Sequence, residues 1–153
     1  MDYIKMIRSI AGSQPLILTA CSVVVLNEKN EILLQHRTDT NNWGIPGGFM
    51  ELGESVEESA RRELLEETGL TVGKMKLYTV FSGEDFYFTY PNGDEVYNVI
   101  VSFVSRDVSG ELVADHEAHE LRYFALDALP EEMIPTSRLM LERIKQDLNQ
   151  GRI

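Results

Sequence analysis

The chain has 153 residues, 43% of them hydrophobic and 25% charged, with 25 Asp and Glu against 14 Lys and Arg, for a formal net charge of −11. This length suits one domain spanning 1–153 that buries about 70% of its unfolded surface, and the lone Cys21 excludes an internal disulfide and fits a reducing compartment. The acidity excludes a stable duplex nucleic-acid complex built on basic contacts, the apolar run Pro15–Leu26 is too short to cross a bilayer, and no signal-peptide pattern opens the chain, so a cytoplasmic protein with no membrane partner is expected.

Residues 1–16 read as a lead-in in which Tyr3, Ile4, Ile7 and Ile10 have the spacing of a short amphipathic helix, suited to capping the core or to forming a homodimer interface. Ile17–Leu26 is β-branched and reads as a buried strand. The turn Asn27–Asn30 leads to a second strand, Glu31–His36, and the pair suggests a hairpin. Thr38–Gly53, rich in Asn and Gly, reads as a long loop. A helix follows, with Ser55 and Glu58 as a capping box and Gly69 as its left-handed stop. Strands are expected at Met75–Phe81, Phe86–Tyr90 and Glu95–Val104, the last two joined by the turn Pro91–Asp94, and a short one at Leu121–Ala125. Ser137–Asn149 carries Leu139, Ile144 and Leu148 at helical spacing. The fold class implied is α/β in the mixed α+β sense, with a sheet between helices.

The central helix has an unusual pattern. At 3.6 residues per turn Val56, Ala60 and Leu64 form its apolar stripe, Glu63 and Glu67 project at the edge of that stripe, and Glu66 lies further round. Like charges at this spacing repel by a few tenths of a kcal/mol each, so a cation is called for. Arg61 and Arg62 supply part of it, as on an ordinary solvated acidic face. The glycine-rich loop just upstream can bring bare carbonyls to the same carboxylates, and such hard oxygen ligands suit Mg²⁺ or Mn²⁺.

The run from Gly48 to Leu70, GFMELGESVEESARRELLEETGL, fits without a gap the pattern G-x5-E-x7-R-E-U-x-E-E-x-G-U, where U is a bulky aliphatic residue. In this it resembles the Nudix (MutT-like) hydrolases. The flanks LLQHR before WGIPGG, and YFALDALP, are similar to family flanks as well, so the likeness covers roughly residues 17–135. It implies an α/β/α sandwich with a mixed β-sheet between helices. It also implies a divalent-metal-dependent pyrophosphohydrolase, in which water attacks phosphorus in a nucleoside diphosphate linked to another moiety.

By position in the pattern, Glu66 and Glu67 match the principal metal ligands, and Glu63 a further ligand or the general base. The Gly47 carbonyl matches a backbone ligand, Glu54 a weaker one, and Arg62 the residue that orients the carboxylates. Glu117 and then Glu120 stand where the family often adds a loop carboxylate, as catalytic group or ligand. Arg37 is the candidate phosphate contact, and Trp43, Phe81 and Tyr87 are candidate substrate contacts as stacking faces for a base. Of the family's rough substrate markers, the proline of ADP-ribose enzymes is absent, its place being held by Asp85, while Tyr87 occupies that of the dinucleoside polyphosphate tyrosine. A Nudix-fold nucleotide-sensing or binding module is the alternative; its mark would be a degraded pattern, and this one is complete. Action on an RNA 5′ end is a further alternative, for which the sequence offers no evident basic path.

Overall fold

The computed structural model describes residues 2–153. Its elements in chain order are α1 (Tyr3–Ala11), β1 (Leu16–Val25), β2 (Glu31–Arg37), β3 (Trp43–Gly44), β4 (Gly47–Phe49), α2 (Val56–Thr68), β5 (Thr71–Val72), β6 (Lys76–Phe81), a 3₁₀ turn (Glu84–Phe86), β7 (Tyr87–Thr89), β8 (Glu95–Ser105), β9 (Val108–Ser109), β10 (Ala118–Ala125) and α3 (Pro135–Asn149).

The principal sheet runs β4-β1-β8-β6, with β7 also paired to β8. It is mixed, as expected: β1 and β8 lie parallel over ten pairs, from Leu16 opposite Val96 to Val25 opposite Ser105, and the other pairings are antiparallel. A second sheet, β10-β2-β3, is antiparallel, and β5 pairs only with β9. The period-two alternation of β1 builds the sandwich. Cys21, Val23 and Val25 face Ala60 and Leu64 of α2, whereas Val24 and Leu26 face Met140, Leu141 and Ile144 of α3.

The expected β1–β2 hairpin is not formed. The Asn27–Asn30 turn does close, with Asn27 Oδ1 accepting from Lys29 N and Glu31 N, but the strands share only the Leu26–Ile32 bridge and then part. Both edges of β1 are taken, by β4 and β8, so β2 must pair elsewhere. The loop Thr38–Gly53 likewise contains two short strands, β3 and β4. The final strand begins at Ala118, three residues earlier than expected, with a bulge against β2 between Ala118 and Glu120.

Helix α2 starts and stops where its residues dictate. Ser55 Oγ accepts from Glu58 N, and Gly69 adopts the left-handed conformation at φ 80 with its N–H on Leu65 O. Helix α3 begins at Pro135, ahead of Ser137, because proline at the first helical position forfeits no hydrogen bond. Its apolar stripe runs through Met140, Leu141 and Ile144, leaving Leu139 exposed. Helix α1 does not cap the core, since none of its residues is buried. It lies across the end of the main sheet, tied down by Arg8, which donates to Glu95 O, and by Tyr3 N donating to the Glu51 carboxylate. No helix among the described residues is long and apolar enough to cross a membrane.

Candidate active site

A cleft of about 700 Å³ opens at one end of the main sheet. The outward positions of β1 and β8, among them Ala20, Ser22, Asn98 and Ile100, form its floor, and Phe88, Tyr90 and the start of α3 form its walls. Glu63, Glu66, Glu67, Arg62, Gly47 and Arg37, brought from three separate segments, all line it, and so does Glu117.

Helix α2 sorts its carboxylates by rotation. Glu67 is 5% exposed and points into the protein, Glu63 lies partly covered, and Glu66 faces solvent. Glu67 Oε2 accepts from the Gly47 N–H at 2.9 Å and from Gln35 Nε2 at 3.4 Å. So the structure adds the Gly47 amide to what was expected of that residue, as the group that fixes Glu67. Gly48 is held bare by Glu63: a Cβ at residue 48 would lie 2.5 and 2.6 Å from the two carboxylate oxygens. A side chain at the first glycine of the pattern would therefore push the end of Glu63 aside.

Arg62 spends all five of its N–H donors here. It grips Glu54 through Nε and Nη2, reaches Glu63 at 2.9 Å and Glu66 at 3.1 Å through Nη1, and holds Phe49 O at 3.2 Å. Glu54, fixed in this fork, has its pKa lowered chiefly by the Arg62 hydrogen bonds. Arg61 has a different task, donating to Val72 O and Gly73 O and so securing the segment after α2.

The remaining negative charge is answered only in part. Burial raises the pKa of Glu67 well above the ordinary carboxylate value, with the Glu63 charge adding to it and the Gly47 hydrogen bond opposing it. Glu63 is raised too, by burial first, with Arg62 opposing and Glu66 and Glu117 adding to the rise. As they stand, no three acidic, histidine or cysteine groups among the described residues enclose an ion: Glu63 and Glu66 are turned to Arg62, and Glu67 to Gly47. The donors are nevertheless hard oxygens, crowded and short of positive charge, and a divalent cation fits that set.

The outlying candidates separate. Glu117 reaches the cleft from the loop before β10, its backbone O accepting from Thr38 N, while Glu120 is paired with Arg122 and lies off the cleft. Arg37 lines the cleft in a two-bond pairing with Asp39 at 2.8 and 2.6 Å. The three aromatic residues expected to stack on a base stand elsewhere. Trp43 is buried against Phe124 and His36, Phe81 is buried against Phe86, and Tyr87 stacks on Tyr97 with its hydroxyl on Glu95. In their place the cleft has Phe49, Phe88 and Tyr90. The alternation along β7 was the available signal: Phe88 and Tyr90 share one face and Tyr87 the other. Cys21 is fully buried, and burial raises its thiol pKa, as suits an inert side chain.

A second groove, about 580 Å³, lies further along α3 and gathers Lys74, Lys76, Arg106, Arg143 and Arg152 around Tyr78 and Asp147. The sequence had offered no basic path, because these five residues come from four separate stretches of chain.

Comparison with known proteins agrees with this architecture. The NUDIX domain family model matches residues 17–144. A Bacillus subtilis (strain 168) protein provisionally named an 8-oxo-dGTP diphosphatase is 34% identical over 131 residues, which cover 83% of this chain and 81% of that one. The ADP-ribose pyrophosphatase of Methanocaldococcus jannaschii is 37% identical over 109 residues, 69% of this chain and 61% of that one. The crystal structure of a MutT NUDIX hydrolase from Burkholderia pseudomallei superposes with a TM-score of 0.69 at 29% identity, covering 84% of this chain and 97% of the other. The match over most of the chain and the shared fold, together with the complete Gly48–Leu70 pattern folded around one cleft, establish that the chain belongs to the NUDIX hydrolase family.

Proposed function

We propose that the protein is a Mg²⁺- or Mn²⁺-dependent pyrophosphohydrolase of small nucleoside diphosphate derivatives, with Glu63, Glu66 and Glu67 as its working carboxylates. The observation that carries this reading is the convergence of Glu63, Glu66 and Glu67 on one cleft of nucleotide size, with Arg62 shared between Glu63 and Glu66 and no cation paired with the buried Glu67 among the described residues. Glu66, Glu67 and the Gly47 carbonyl would hold the cation, with Glu63 as a further ligand or the general base and Glu117 and Glu54 as outer candidates. A bound divalent cation supplies the charge that lets a diphosphate approach this acidic chain, and it acidifies a coordinated water.

The protein's own groups do the rest. The Gly47 amide and Gln35 keep Glu67 in place, and Arg62 aligns Glu63 and Glu66 through charge-assisted hydrogen bonds. Glu63, less buried than Glu67 and raised in pKa, is suited to take a proton from the attacking water. Arg37 is suited to a substrate phosphate once its hold on Asp39 is shared. Glu120, committed to Arg122 outside the cleft, is left without a catalytic part. Two relatives carry names for action on 8-oxo-dGTP and ADP-ribose, and both compounds are within this class. Incubation with a panel of nucleoside diphosphate derivatives and Mg²⁺, with products identified by mass, tests the reading. Binding of nucleotides without any phosphorus product would instead establish the sensing module.

A second reading, that the nucleotide is the capped 5′ end of an RNA, is favoured by the basic groove, which shares α3 with the cleft. A relative from Actinobacillus succinogenes named an NAD-capped RNA hydrolase is 31% identical, and this chain spans about half of its length. RNA affinity that does not fall with rising salt would end this version. Self-association through the exposed Met6 and Ile10 of α1 completes the proposal, and a monomeric mass by light scattering would remove it.

A further inference from the structure

The floor of the cleft ends, away from the carboxylates, at Asn98. Its side chain is only 8% exposed, yet it lines the cleft. The amide Nδ2 donates to Phe86 O at 3.1 Å, which fixes the orientation of the group, since the reverse assignment would set two acceptors against each other. No described residue donates to Oδ1. It is also absent from the buried atoms that lack a partner, so it is open to the cleft. A nine-tenths-buried amide whose one free atom is an acceptor facing a cavity is aligned for a donor that the protein does not itself provide.

Thr136, at the start of α3 and also 8% exposed, lines the same cleft, and its hydroxyl has no protein partner among the described residues. The cleft lining also includes the apolar Ile45, Ile100 and Met140. Along the sheet, Asn98 lies opposite Leu18, and Ser102 lies opposite Ser22, itself the partner of Gly47. At about 3.3 Å per residue, these four steps put about 13 Å between Asn98 and the carboxylate end. That is about the reach of a nucleoside and its first phosphates laid along the floor.

We propose that Asn98 is a specificity-determining residue that accepts a hydrogen bond from the exocyclic amino group of a nucleobase. The inference rests on the nucleotide reading above and narrows it to amino-bearing bases: adenine, cytosine or guanine. An apolar slot alone discriminates weakly, whereas a buried acceptor left without its donor penalises the wrong base in the transition state as well as in binding.

The test compares nucleotides that share the same phosphate group and differ only by the amino group: adenosine against purine riboside, cytidine against its 4-deamino analogue, and guanosine against inosine. In the unmutated protein at least one pair should differ about 10- to 100-fold in kcat/KM in favour of the amino form. Asn98→Val should reduce that ratio to about threefold or less by slowing the amino substrate alone. If no pair is distinguished, or if Asn98→Val slows both members equally, the assignment is overturned while the hydrolase reading stands. Failure of the unmutated protein to cleave any nucleotide with Mg²⁺ or Mn²⁺ would remove both. The comparison in the unmutated chain requires no variant to fold.

Discussion

The two helices that flank the sheet each carry one deeply buried carboxylate, and the two are treated in opposite ways. Asp147 on α3, 6% exposed, meets the Tyr78 hydroxyl, Arg143 at 3.5 Å and Arg152 at 3.5 Å, and its pKa is lowered, first by the Tyr78 hydrogen bond and then against the pull of burial. Glu67 on α2, 5% exposed, meets one backbone amide at 2.9 Å and a distant side-chain amide, with Glu63 adding its charge nearby, and its pKa is raised. A satisfied buried charge holds structure together. An unsatisfied one is a standing demand for a cation, and the fold leaves it beside a cleft.

The contrast is tested most severely by Glu67→Gln, which keeps an acceptor for the Gly47 amide and removes the charge. Steady-state assays with Mg²⁺ should show a loss of about 10³-fold or more in kcat, while thermal melting in the absence of metal should show no loss of stability. A large drop in melting temperature would mean that the Glu67 charge stabilises the fold like that of Asp147. Arg62→Ala should lower kcat about 100-fold and also reduce stability, because five donors and two chain segments lose their tie; Arg62→Lys should recover stability better than turnover. Asp147→Asn is the mirror image of Glu67→Gln. It should cost about 1–3 kcal/mol in chemical denaturation at neutral pH and leave kcat within about twofold.

The pH dependence should run in opposite directions at the two sites. A raised folded pKa, as at Glu63 and Glu67, favours folding while the group is protonated, so this contribution is full at acid pH and fades as the pH climbs through the raised values. A lowered one, as at Asp147 and Glu54, is present above the ordinary carboxylate range and disappears as the pH falls through the depressed values. The metal-free protein should therefore melt at a falling temperature as the pH rises above the ordinary carboxylate range, and Glu67→Gln should flatten that slope. The smallest effect is expected at Tyr87→Phe. Its hydroxyl is bonded to Glu95 outside the cleft, so turnover should hold within about twofold for every nucleotide, dinucleoside polyphosphates included.

The legible parts of the molecule were those whose cause is local. The limits of α2 are fixed by Ser55 and Gly69 within the helix itself, and the rotation that brings Glu63 and Glu67 inward while Glu66 turns out follows from 3.6 residues per turn. The unreadable parts depend on partners far along the chain. Gly47–Phe49 has no strand propensity of its own and becomes β4 because the edge of β1 is open to it. The parallel docking of β1 on β8 joins residues 80 positions apart, and it is this pairing that separates β1 from β2. Among the aromatic candidates Trp43 and Phe81 are packed in the core, whereas Tyr87 misses the cleft by one residue of phase. Pairing of Tyr87 with Tyr97 turns it out of the cleft, and the same register turns Phe88 and Tyr90 in.

The bare Cα of Gly48 sets how close this chain stands to losing its chemistry. A single methyl group there, as in Gly48→Ala, would strike both oxygens of Glu63 and force that carboxylate away from the strand. A side chain at residue 48 and the present place of the Glu63 carboxylate thus exclude each other. Gly48→Ala would act first on where that carboxylate can sit, with the rest of the cleft lining unchanged.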